Sequence, residues 1–151
     1  MTSRNHDRTG PSYRALLIPV DLTTVSDRIL GRVAMLPLAR KARLTLLHVV
    51  PSGLPARTQR RAERDAMKAL TEEARHLARS LPREVSIVPV VTAGTAAAEI
   101  AARAAEAKAE MIVMGHGGGR ALRDTLLGST AERKRQTQEM APTMSSGRTV
   151  Y

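Results

Sequence analysis

The stretch Ala15-Leu16-Leu17-Ile18-Pro19-Val20, closed by Asp21, is apolar without alternation. A strand with one face in water alternates apolar and polar residues. An unbroken apolar strand suits a parallel sheet covered on both faces. Working outward, similar runs recur at 43–50 (RLTLLHVV), 85–91 and 111–114. Helical periods lie between them. Thr23, Thr24 and Ser26 are candidate caps for a first helix, with Asp27 in its first turn and Leu30, Val33, Ala34 and Leu38 as its buried stripe. Pro37 conflicts with that stripe, so a kink or an early end is expected there. Pro51-Ser52-Gly53-Leu54-Pro55 reads as a loop. The segment 57–81 reads as a long amphipathic helix with Ala66, Met67, Leu70, Ala74, Leu77, Ala78 and Leu81 on its inner face. Pro89 inside the third strand points to an edge position. Thr95 can cap a third helix running to about Lys108.

Strand–helix alternation of this kind implies right-handed crossovers and an α/β fold: an open, mostly parallel sheet with helices on both faces. Ligands in such sheets sit beyond the carboxyl ends of the strands, near the topological switch point. Two strand ends are equipped for this, Pro19-Val20-Asp21 and Gly115-His116-Gly117-Gly118-Gly119.

Composition narrows the function classes. The 151 residues make about one domain, and 42% hydrophobic content argues against general disorder. There is no cysteine, which excludes disulfides, thiolate metal sites and cysteine nucleophiles. The four histidines are scattered without a short ligand spacing, so no metal site is expected. Residues 1–12 read as a disordered leader without an apolar secretion signal, and no run reaches the roughly 18 apolar residues of a membrane span. A cytosolic location and no membrane partner are expected. Tyr13 and Tyr151 are the only aromatics, which leaves no platform for stacking bases. The net charge of +10 and pI of about 11.3 attract polyanions in general. The basic face of the long helix is diluted by Glu63, Asp65, Glu72 and Glu73, so it reads as a solvated face and nucleic acid is not expected as a partner. An interaction module that binds acidic partners or nucleic acid through this helix is the alternative to a ligand-binding protein.

The glycine loop carries the chemistry. Glycines allow positive φ and close approach of backbone to ligand. Successive N–H groups can wrap a phosphate, and a helix start beyond Gly128 adds its unpaired N–H groups and positive dipole end. The loop is not a P-loop, because no Gly-Lys-Ser/Thr follows. It is not a dinucleotide fingerprint, because the third glycine would fall at Arg120.

Gly115, Gly118, Gly128 and Ser129 meet the pattern G-2x-G-9x-G-(S/T), and in this the chain resembles the universal stress proteins. The resemblance spans about 13–132 and includes ALLIPVD, LTLLHVV and EMIVMGHGG. It implies a five-stranded parallel sheet of the adenine nucleotide alpha hydrolase-like type and ATP as the bound cofactor. Carried over by position, Pro19 and Asp21 would lie near adenine and ribose, and the backbone of Val49 would meet the adenine. Gly115 and Gly118 would border ribose and phosphates, with His116 beside them as a loop side chain. Gly128, Ser129 and Thr130 would hold the phosphates. A magnesium ion arriving with ATP would find an oxygen donor in Asp21. Arg120 and Arg123 lie in the nine-residue span as further phosphate contacts. Ser129-Thr130-Ala131-Glu132 is also a capping box, a role compatible with phosphate binding through backbone N–H groups. Asp21 has a structural reading too, as a cap of its loop, and His48 reads as a satisfied strand-end histidine.

The resemblance implies a nucleotide-dependent regulator in stress response with a protein partner. No base, nucleophile or arginine is evidently placed for the γ-phosphate, so no catalytic residue is assigned and hydrolysis is expected to be weak at most. Residues 133–151 form a polar tail without a five-residue apolar run, which fits a diverged end or a shifted reading frame equally. By pattern it supplies no fifth strand. An exposed sheet edge and lowered stability are therefore expected, and the homodimer that the resemblance implies would lack the strand that often supports it.

Overall fold

The structure, a computed structural model, describes residues 12–22 and 25–115, the side chains of 25–27 excepted. The order is β1 (Tyr13–Pro19), α1 (Val25–Val33), β2 (Leu38–Val50), α2 (Ala56–Ala78), β3 (Ser86–Ala93), α3 (Ala96–Glu106) and β4 (Met111–Ile112). The described strands form one sheet in the order β3-β2-β1-β4, every pair parallel. This is the expected α/β architecture. Any fifth strand, the residues before 12 and the tail lie outside the described residues.

Alternation along the central strands sorts the apolar side chains onto two faces. Leu16, Ile18 and Val20 of the first strand segment, Leu44 and Leu46 of β2, and Met111 and Val113 point to one face. There they pack with Ile29, Leu30 and Val33 of α1 and Leu70, Ala74 and Leu77 of α2. Leu17 and Leu47 point to the other face and pack with Ile100 and Ala104 of α3. Of the described helices, α1 and α2 cover one side and α3 the other, which explains why β1 carries no polar alternation.

Several boundaries differ from the sequence reading. The first helix stops at Val33, before Pro37, and Leu38 opens β2 instead of closing the helical stripe. The Pro37 carbonyl accepts the N–H of Tyr13 at 2.8 Å, so the proline sits at a strand-like entry. Tyr13 pairs with Leu38 and Ala15 with Arg43, so β2 bulges there against β1. Ser26 lies inside α1 and is not its cap, while Thr23 and Thr24 lie outside the described residues. Thr95 does occupy the N-cap of α3, but its side chain makes no capping hydrogen bond. The end of α3 is a Schellman turn: Ala109 N–H donates to the Ala104 carbonyl, Lys108 N–H to that of Ala105, and Lys108 takes a φ of 50°. On α2, Met67 is 37% exposed and Ala78 is exposed, so neither belongs to the buried stripe. Leu81 lies beyond the helix end yet still packs on the core. The edge position inferred from Pro89 holds: β3 is an end strand of the described sheet, with Pro89 opposite Leu46.

Candidate functional site

The strand order reverses direction at β1. From there the chain moves outward to β2 and β3, then returns by α3 to place β4 on the other side of β1. The crevice past the carboxyl ends of β1 and β4 is thus the switch point of this sheet. Pro19 closes β1 and is half-buried, and Asp21 follows as an exposed side chain. On the far side, Leu17 pairs with Ile112 and the Val113 N–H donates to the Leu17 carbonyl at 2.9 Å. Gly115 therefore emerges beside the end of β1. Gly115 is the last described residue. His116, Gly118, Gly128, Ser129 and Thr130 lie outside the described residues, as do Arg120 and Arg123.

Val49 enters the same crevice through its backbone. In a parallel ladder the N–H and carbonyl of one residue point to the same side, and the side alternates along the strand. The Leu47 carbonyl accepts the Val20 N–H at 2.9 Å, towards β1. The Val50 carbonyl accepts the Gly94 N–H at 3.0 Å, towards β3. By that alternation, the N–H and carbonyl of Val49 face the β1 side, two residues past Leu47, where β1 ends its pairing at Pro19. A donor and an acceptor at adjacent spacing match the ring nitrogen and exocyclic amine on the Watson–Crick edge of adenine. The Val49 side chain packs on the α3 face of the core.

His48 fixes the end of β1. Its Nδ1 lies 2.8 Å from the Val20 carbonyl. A carbonyl only accepts, so Nδ1 is assigned the proton and Nε2 is the acceptor in the neutral ring. Val20 is thus tied to β2 twice, through its N–H to Leu47 and its carbonyl to His48. Directly beyond, Leu22 adopts a φ of 60°, a left-handed conformation that costs a residue with a Cβ about 1–2 kcal/mol. The clamp and the turn together set the direction in which Asp21 leaves the sheet. We expect His48→Leu to lower stability by about 1–3 kcal/mol through the unpaired carbonyl. His48→Gln, which keeps a donor, should recover part of this in urea melts.

Asp21 is the only proposed magnesium donor among the described residues. No group of three or more His, Asp or Glu among them is arranged to hold a metal ion. One carboxylate fits a magnesium ion that brings phosphate and water oxygens with it, but not a protein-built metal centre. Among the described residues, no helix is long and apolar enough to cross a membrane.

The model of the universal stress protein family matches residues 12–136. No curated protein matches the sequence. Solved structures share the fold. Universal stress protein UspA from Lactobacillus plantarum superposes with a TM-score of 0.60 at 18% identity, over 79% of this chain and 93% of that one. A universal stress protein in complex with cAMP gives 0.54 at 20% identity, over 93% and 98%. A universal stress protein family protein from Arabidopsis thaliana with AMP bound gives 0.56 at 13% identity, over 76% and 84%.

Proposed function

The chain belongs to the universal stress protein family, and from that premise we propose that it binds an adenine nucleotide, ATP in the first place, at the switch point of its sheet. Bound nucleotide then favours one conformation or assembly that a protein partner reads, in a cytosolic stress response. The observation that carries this reading is the backbone pair of Val49 facing the crevice past β1, beside Asp21 and Gly115. A base stacked into that crevice would direct its ribose and phosphates towards the glycine loop. Pro19 would form part of the wall under the base. Gly118 would admit the phosphates, and Gly128, Ser129 and Thr130 would hold them through N–H and hydroxyl groups. His116 would flank the loop without acting as a base. The cAMP and AMP described for two structural neighbours support an adenine nucleotide as the ligand class. Magnesium, where present, would come with the phosphates and take one oxygen from Asp21. Hydrolysis is not part of the proposal.

The test is equilibrium ATP binding by the purified chain and by Gly118→Arg, which would fill the proposed phosphate path. A loss of at least about a hundredfold, about 2.7 kcal/mol, is expected. Equal affinity rejects the site. Independently, ATP at about 100 times its Kd should raise the unfolding free energy of the unsubstituted chain by about 2.7 kcal/mol.

A further inference from the structure

At the end of the sheet opposite the crevice, the strand starts gather cations from separate stretches of sequence. Arg14 lies at the start of β1, Arg40, Lys41 and Arg43 at the start of β2, Arg83 just before β3 and Lys108 just before β4, and all six are exposed. Glu84 and Glu110 are the acids at these same starts. Arg40 pairs with Glu84 at 3.7 Å, with side chains 84% and 47% exposed, a contact weak enough to exchange for a ligand. Glu110 accepts the Arg14 backbone N–H at 2.8 Å, which engages one of its oxygens. Lys41, Arg43, Arg83 and Lys108 form no ion pair with the described acids. Cations at helix C-termini complement the helix dipole, which accounts for Lys108. The dipole gives no reason for Arg14, Arg40, Lys41 and Arg43, which stand on strands.

We infer that this end of the sheet binds duplex nucleic acid through its phosphate backbone, without reading sequence. The four strand starts that carry these cations span about 14 Å, at about 4.8 Å per strand spacing. Such a span reaches about three phosphates of one strand, because the strand winds around the axis and its phosphates lie farther apart than their axial rise of about 3.4 Å. The surface has the polar, positive character of a nucleic-acid interface. A folded protein partner would need an apolar or aromatic centre. The large apolar side chains exposed among the described residues, Met35, Leu54 and Met67, belong to three different parts of the fold and form no such centre. The expectation against nucleic acid rested on the diluted face of α2 and the lack of stacking aromatics. Neither bears on backbone contacts at the sheet end, whose cations only the fold brings together.

The experiment is fluorescence anisotropy of a labelled 20-base-pair duplex against the full chain, from 50 to 200 mM NaCl. Binding at 50 mM is expected, with a slope of log K against log salt near about −2.7 for three contacts. Lys41→Glu with Arg43→Glu should weaken binding more than about tenfold and flatten the slope by about 2, while Arg60→Glu with Arg64→Glu on α2 should change it less than about threefold. Urea melts check that each variant folds, and Lys41→Gln with Arg43→Gln replaces the first pair if it melts early. Absence of binding at 50 mM NaCl overturns the inference. So does equal loss in the two double variants, which would mean diffuse charge, or equally tight binding of polyglutamate, which would mean an acidic protein partner.

Discussion

Leu46→Ala is expected to lower the unfolding free energy by about 2–5 kcal/mol, a large share of the roughly 5–15 kcal/mol that holds a domain together. Leu46 is fully buried on β2, opposite Ile18 of β1 and Pro89 of β3. Its side chain belongs to the larger core cluster, which both α1 and α2 cover. Truncation removes apolar contacts and leaves a cavity between strands hydrogen-bonded on both sides, so the surroundings cannot collapse to fill it. The control is Met67→Ala on α2, where 37% exposure leaves less to lose and a change below about 1 kcal/mol is expected. Urea melts at equal m-value measure both. Equal shifts would mean that the sheet face between β1 and β3 is not the centre of the core.

The second large effect is expected at Gly94, where the chain turns from β3 into α3. A Cβ built there would stand 2.9 Å from both Cγ and Oε1 of Glu99, and the φ of +157° is one that residues with a Cβ rarely adopt. Glu99 is not at liberty to yield. The Thr92 hydroxyl donates to its Oε2 at 2.6 Å, and its own N–H donates to the Thr95 carbonyl at 3.0 Å. Gly94→Ala must move the carboxylate off Thr92 or lengthen the Gly94 to Val50 bond, costing about 1–3 kcal/mol. Because Val49 and Thr92 stand opposite in the register, the disturbance reaches the proposed adenine contact. Truncating Glu99 to alanine in the same chain should recover part of the loss, and the double-mutant cycle should show a coupling of about 0.5 kcal/mol or more. Strict additivity would mean that the two residues do not meet.

The mostly apolar runs were enough to read a parallel sheet with helices on both faces, because burial on two sides leaves few positions for a polar residue, with Thr45 the buried polar one among the described residues. The start of β2 was not legible. Arg40 and Lys41 look like a surface turn, and only the fold shows that a bulged strand can carry them outward around the buried Ala42. Met67 was misplaced because a helical period specifies a stripe without its width. The end of α3 was legible to within two residues, at about Lys108, although the Schellman turn there carries a lysine where glycine is common. For the site, Asp21, Val49 and Gly115 could be named from motif resemblance. The His48 clamp on Val20 was visible only as a histidine at a strand end, since the partner is a backbone carbonyl 28 residues away.

The place of β1 in the middle of the sheet bears on how the chain is made. β1 leaves the ribosome before the strands it pairs with; it meets β2 early, but its other side waits for β4, whose Met111 meets Leu16 about 95 residues later. At about 5–20 residues per second, that leaves an apolar strand with an unpaired side on the nascent chain for on the order of 5–20 s. During that interval the half-built sheet is a target for chaperones and for neighbouring nascent chains, until the arrival of β4 covers the second side of β1.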